Sequence, residues 1–235
     1  MFYQHGINKL LMHKTKVTFF VFALVSILDI IGIILEIPIL RYIFKPLIIL
    51  SLLFLYIFSV QKRLKWYLFA LGFSFLGDVL LTFDGELFFI TGLVSFLVAH
   101  FLFIKIVVSR IQEYSLSKII FSIIPFFIVF SLLIFTLKNS LDEMLIPVII
   151  YGLTISTFGV VSLIDFINNK SKKSLLMFSG AIVFMLSDSV LAIDKFYFEE
   201  HFNKIAIMFT YVLAQYLIFR SMIFGNEIAH TKENE

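Results

Sequence analysis

The sequence contains no cysteine. Disulfides, a thiol nucleophile and a cysteine-bound metal are therefore excluded, and redox chemistry does not mark the compartment. Charge is also scarce: Asp, Glu, Lys and Arg make up 15% of 235 residues, against 60% hydrophobic and 17% aromatic. A soluble domain carries roughly 25% charged residues, so this chain cannot clothe a water-facing surface. Soluble enzymes, disordered proteins and free nucleic-acid binders are excluded at this level. Other absences narrow the chemistry. There is no Gly-x-Ser-x-Gly turn with a histidine partner, no glycine-rich phosphate loop and no His-x-x-x-His pair among the five histidines. A zinc site is not expected.

What is present is a series of long apolar runs. Eight of them, near 17–35, 42–60, 66–83, 87–108, 118–137, 144–164, 174–193 and 205–224, are separated by short polar breaks. Each is long enough to cross a hydrocarbon layer of roughly 30 Å at about 1.5 Å per residue. Backbone groups in lipid must bond internally, and the runs do not alternate as barrel strands would, so the spans are helices. The first run is long, carries Asp29 and lacks a small-x-small cleavage site, which reads as a retained span and not a cleaved leader. The expected fold is an all-α membrane protein, an eight-transmembrane-helix bundle forming a single polytopic domain over 1–235. It lies in the inner membrane if the cell is bacterial.

The few basic residues set orientation. With the N-terminus inside, thirteen fall in inner segments (Lys9, Lys14, Lys16, Lys62, Arg63, Lys65, Arg110, Lys118, Lys170, Lys172, Lys173, Arg220 and Lys232). Four fall in outer loops (Arg41, Lys138, Lys195 and Lys204), and Lys45 and Lys105 lie within spans. This asymmetry predicts that both termini are cytoplasmic. The net charge of +3 is then a topology signal with the lipid bilayer as its partner, and no nucleic acid is expected.

Two stretches repeat. Leu76-Gly77-Asp78-Val79-Leu80-Leu81-Thr82-Phe83-Asp84 parallels Leu186-Ser187-Asp188-Ser189-Val190-Leu191-Ala192-Ile193-Asp194, and Val98-Ala99-His100-Phe101-Leu102 parallels Leu213-Ala214-Gln215-Tyr216-Leu217. The matches lie four spans apart, the pattern of a 4+4 parallel repeat about an axis along the membrane normal. Chance likeness of apolar helices is the alternative, against which the recurring acid weighs.

Only Asp29, Asp78 and Asp188 are acids clearly inside spans. An acid at the bilayer centre costs roughly 2.5–3.5 kcal/mol, so such residues face a protein interior or a wet cavity. Asp78 and Asp188 each sit five residues from the outer end of their span, about 7–8 Å deep. They read either as a reactive pair or as an interhelical hydrogen-bonding pair. Lys45 either joins this cluster or reaches the interface. Lys105 reaches the inner interface, where Trp66 is an anchor. His100 is a proton carrier or a bonded packing residue. Tyr211 and Gln215, at i and i+4, orient a substrate oxygen or bridge helices. Ser74, Asp78 and Thr82 form a polar stripe that predicts a wet face. Intramembrane aspartyl proteases are set aside, because Phe75-Leu76-Gly77-Asp78 lacks the first glycine of their signature and no tyrosine precedes Asp188.

Taken in order, Lys45-Pro46-Leu47, Phe75-Leu76-Gly77-Asp78-Val79-Leu80-Leu81, Gly92-Leu93 with Phe96-Leu97 and Ala99-His100, Ser187-Asp188-Ser189-Val190-Leu191-Ala192, and Thr210-Tyr211 with Ala214-Gln215 resemble the YhhN-like integral membrane family, whose animal members are lysoplasmalogenases. The resemblance implies an eight-span hydrolase that cleaves the vinyl ether bond of a lysophospholipid substrate to a fatty aldehyde and a glycerophospho-alcohol. Asp29 matches no motif of that family. The chemistry suits the residues. One protonated carboxyl delivers a proton to the vinyl carbon, and one carboxylate steadies the oxocarbenium ion and activates water. Asp78 and Asp188 are the expected pair, with Lys45 on the lipid phosphate and His100, Tyr211 and Gln215 positioning water or the glycerol oxygen. Such a reaction needs no metal or cofactor. The alternatives are a proton-coupled transporter or flippase, and a non-catalytic bundle. An oligomeric state does not follow from the sequence.

Overall fold

The computed structural model describes residues 2–224, with side chains from residue 11 onward. Lys232 and the side chain of Lys9, both counted above as inner charges, lie outside the described residues. Eight α-helices follow one another: α1 (Phe2–Ile34), α2 (Pro38–Ser59), α3 (Lys65–Leu80), α4 (Glu86–Val108), α5 (Leu116–Leu137), α6 (Leu145–Asn169), α7 (Lys172–Phe196) and α8 (His201–Ile223), with one 3-10 turn at Asp142–Met144. No β-ladder occurs among the described residues.

Local chemistry sets several ends. Pro38 opens α2, where a missing amide hydrogen costs nothing. Gly85 precedes α4 at φ +119°, a conformation that side chains resist. Ser171 and Ser174 cap α7 reciprocally, each hydroxyl accepting from the other's amide at 3.1 Å. Pro46 and Pro125 lie inside α2 and α5, as membrane helices tolerate.

Among the described residues, seven helices are long and apolar enough to cross a membrane. The exception is α3, expected over 66–83. It has 16 residues and ends at Leu80, and Leu81–Phe83 turn towards the Asp84-Gly85 loop. At about 1.5 Å per residue it is roughly 24 Å long. Other boundaries also move, because a charge can end an apolar run without ending a helix. The outer loop expected over 194–204 shrinks to 197–200, which puts Lys195 in the last turn of α7 and Lys204 in the first turn of α8. Arg41 lies in the first turn of α2, and Asp165 lies inside α6.

The distribution of polarity is inverted relative to a soluble protein. Phe20, Leu24, Phe121, Phe127, Leu132 and Phe135 face outward, while Asp29, Lys45, Asp78, His100 and Gln215 are buried. In α5 only Ser122, Phe126 and Leu137 are buried. An exposed apolar surface on that scale is satisfied by lipid. The chain is an integral, multi-pass membrane protein.

Sequential hairpins α1/α2, α3/α4, α5/α6 and α7/α8 form the bundle, and α6 packs on both α4 and α7. With no water to expel, membrane helices associate through close packing at small residues. Gly77 lies under the Phe96 ring, Gly159 under Phe126, and Gly180 against the backbone of α8 at Ala214 and Ile218.

Candidate active site

A cavity of about 190 Å³ opens among the ends of the helices at one end of the bundle. It lies where α3 and α7 finish and α2, α4 and α8 begin. Lys45, Asp78, Tyr151, Asp188 and Tyr211 are in its wall, with apolar sides from Leu81, Leu93, Phe96, Leu191 and Met208. Arg41, Asp84, Asp194, Lys195 and Lys204 add ionisable side chains.

The two aspartates reach this cavity because the same thing happens twice. α3 and α7 each carry an acid near the end at which the cavity opens, and each packs on its hairpin partner, but the acids are not five residues from the helix ends as expected: α3 stops at Leu80, just past Asp78, whereas α7 runs on to Phe196, well past Asp188. Asp78 and Asp188 each have their own tyrosine. The Tyr211 hydroxyl donates to Asp78 Oδ2 at 2.7 Å, and the Tyr151 hydroxyl donates to Asp188 Oδ2 at 2.5 Å. No hydrogen bond joins the two carboxyls among the described residues. Asp78 is 2% exposed, whereas Asp188 is more open to the cavity. Lys45 is buried at 7% and lies within electrostatic range of Asp78, with no carboxylate within 4 Å among the described residues.

Other expected residues stand elsewhere. Gln215 is fully buried behind the wall, its amide donating to the Tyr211 hydroxyl at 3.4 Å, and its Oε1 has no partner among the described residues. His100 lies outside the cavity wall in a box of rings from Phe103, Tyr151, Phe158 and Phe184, the last at 4.7 Å. Its Nδ1 meets the Phe96 carbonyl at 2.8 Å, and Nε2 is unpartnered among the described residues. Of the polar stripe on α3, Asp78 lines the cavity and Ser74 and Thr82 do not. Ser74 is fully buried without a bond, and the Thr82 hydroxyl donates to the Asp78 carbonyl at 2.7 Å. Asp29 is fully buried outside the cavity wall, and both its oxygens lack partners among the described residues. Lys105 lies 3.4 Å over the Trp66 ring, a cation–π contact.

Sequence reasoning missed Tyr151, which sits in an apolar run and looks like packing bulk. It also missed the rim charges, although the repeated stretches end on Asp84 and Asp194, and both line the cavity. Asp194 accepts from the Glu200 amide at 3.1 Å and so ties the α7–α8 connection to the rim. Lys204 pairs with Glu199 at 2.5 Å, and its ammonium holds the exposed Glu199 carboxyl below its ordinary value. Among the described residues no three His, Asp or Glu side chains converge as metal ligands.

A helical membrane protein with two tyrosine-bonded carboxyls in one cavity is the class these features define. Residues 40–222 match the YhhN family, and the chain belongs to that family. It is also 26% identical over 170 residues to Lysoplasmalogenase TMEM86A from Bos taurus. The match covers 67% of this chain and 65% of the length of that relative. No solved structure matches.

Proposed function

We propose that the protein hydrolyses the vinyl ether bond of lysoplasmalogen-type lysophospholipids. The observation that carries this reading is the pair of carboxyls, each bonded to a tyrosine, in the wall of one cavity. The name of the bovine relative supports the substrate class. In the proposed reaction, one of Asp78 and Asp188 is protonated and gives its proton to the carbon of the vinyl group remote from oxygen. The double-bond electrons form that C–H bond, leaving an oxocarbenium ion. The other carboxylate takes a proton from water as the water oxygen bonds to the cationic carbon. The resulting hemiacetal collapses to a fatty aldehyde and a glycerophospho-alcohol. Water is the sole co-reactant. Lys45 receives the phosphate, Tyr211 and Tyr151 hold the acids, and Gln215 and His100 act through those tyrosines and the rings around them.

The reading includes an eight-span topology in which α3 crosses as a short helix, with both termini cytoplasmic and one polytopic domain over 1–235. It also includes a 4+4 parallel repeat, supported by equivalent packing of α3 on α4 and α7 on α8. The test is aldehyde release from an alkenyl lysophospholipid by purified protein, with Asp78→Asn and Asp188→Asn alongside. Loss in both variants is expected, and activity that survives both substitutions would sink the pair.

A second reading, a proton-coupled transporter, is favoured by one observation. The Tyr67 hydroxyl, Ser74 Oγ, His100 Nε2 and Gln215 Oε1 are buried without partners among the described residues, as groups bonded to internal water would be. Proton flux into protein-containing vesicles, without aldehyde release from any alkenyl lipid, would favour it.

A further inference from the structure

A second cavity, of about 210 Å³, lies at the opposite end of the bundle. It forms where the α2–α3 loop meets the end of α4, the start of α7 and the end of α8. Its polar wall is cationic: Lys62, Arg63, Arg110 and Lys173, with Tyr56 and Ser109 beside them. No carboxylate is in that wall.

Basic residues at this end serve membrane topology, but that role needs only exposed charge. Lys62 and Arg63 fit it, being exposed on the loop. Arg110 does not. Its side chain turns inward onto α8, where it donates to Ser221 Oγ at 3.3 Å and to the Met222 sulfur at 3.0 Å. A thioether is a weak acceptor, a poor match for a guanidinium with five donors. Ser221 is fully buried and donates its own proton to the Lys173 carbonyl at 2.8 Å, which fixes the hydroxyl that Arg110 uses. Burial pulls the Arg110 guanidinium below its ordinary value, and Asp165 opposes that from α6 without forming an ion pair within 4 Å. Asp165 is bonded instead to Asn169, at 2.6 Å. The site therefore gathers four cations from three parts of the fold around a space with underused donors.

We propose that this second cavity binds a phosphate group, carried by an anionic phospholipid headgroup or free as inorganic phosphate. Arg110 presents a planar pair of donors suited to two phosphate oxygens, and Lys173, Lys62 and Arg63 supply point charges around it. The site is separate from the acid-lined cavity and does not depend on the reaction proposed there.

The experiment is thermal unfolding of the purified full chain in phosphatidylcholine nanodiscs. One arm adds inorganic phosphate, and another replaces a minor fraction of the lipid with phosphatidic acid. At about a hundredfold excess over Kd, binding raises Tm by about 5–10 °C. A shift with phosphatidic acid alone identifies the headgroup as the source, and a shift in both arms identifies the phosphate itself. The shift is lost in Arg110→Gln/Lys173→Gln. It is reduced in Lys62→Gln/Arg63→Gln, which alters only the exposed loop and keeps the test alive if the buried variant does not fold. Lys14→Gln/Lys16→Gln removes the same charge away from the cavity and keeps the full shift. Equal losses in the cavity and control pairs would reduce the effect to surface charge and overturn the proposal. So would no shift with either probe.

Discussion

Replacing Tyr211 with phenylalanine removes one atom, the hydroxyl oxygen that lies 2.7 Å from Asp78 Oδ2. The ring is kept, and with it the edge-to-face contacts to Phe96 at 5.9 Å and Phe184 at 5.6 Å, so the cavity wall keeps its shape. A hydrogen bond to a charged group is worth about 1.5–3 kcal/mol. At about 1.4 kcal/mol per tenfold, its loss lowers kcat/KM by about 10- to 150-fold if the bond fixes the reactive form and position of the acid. The assay is aldehyde release from an alkenyl lysophospholipid in mixed micelles, across the cycle of wild type, Tyr211→Phe, Asp78→Asn and the double variant. Because Tyr211 is placed to act through Asp78, its removal should cost little once Asp78 is already asparagine, giving strong non-additivity. If Tyr211→Phe costs the same factor in both backgrounds, Tyr211 works independently of Asp78 and the assignment fails.

The same logic applies to Tyr151→Phe, which should lower activity by a similar factor and be non-additive with Asp188→Asn. Lys45→Gln should raise KM about tenfold for a substrate that carries phosphate and leave an alkenyl glycerol without phosphate unaffected. Gly180→Ala places a methyl 3.2 Å from the Ile218 amide nitrogen and 3.3 Å from the Ala214 carbonyl, both backbone, so α7 and α8 must part. A loss of about 1–3 kcal/mol is expected in detergent unfolding. Gly72→Ala, with nothing within 4 Å, should stay within about 1 kcal/mol of wild type. Since the chain has no cysteine, single cysteines report topology directly. Lys62→Cys and Asp84→Cys, at opposite ends of α3, should label from opposite sides of the membrane. Labelling from one side would show that α3 does not cross.

The bundle was legible because lipid makes composition decisive: long apolar runs have no other stable conformation in hydrocarbon. Helix ends were less so. Lys172, Lys195 and Lys204 interrupt hydropathy, yet all three remain helical, because a helix can project past the apolar layer. The same effect hid Asp165, whose run ends just before it in hydropathy while α6 continues to Asn169. Asp78 and Asp188 stood out because charge is expensive at that depth. Tyr151 did not, because a tyrosine among isoleucines costs nothing until its hydroxyl must find a partner, and that partner is 37 residues away. His100 stood out by type, but its place within four aromatic rings depends on how α4 meets α6 and α7, which no local pattern encodes.

The two acids occupy matching places in the repeated stretches, but their surroundings do not match, and the packing explains why. In the repeat, Phe96 on α4 takes the position that Tyr211 holds on α8. The Phe96 ring presses on Gly77, with ring carbons 2.5–3.0 Å from where a β-carbon would stand. A phenylalanine has no hydroxyl to offer Asp188. Asp188 takes its donor from α6 instead, through Tyr151, while Asp78 keeps the α8 tyrosine and also has Lys45 within electrostatic range. The two carboxyls at matching places in the repeated stretches thus have different partners. Acid–base hydrolysis uses such a division, because one carboxyl must give a proton while the other takes one. The unequal partners of Asp78 and Asp188 fit a reactive pair in which the two carboxyls take different roles.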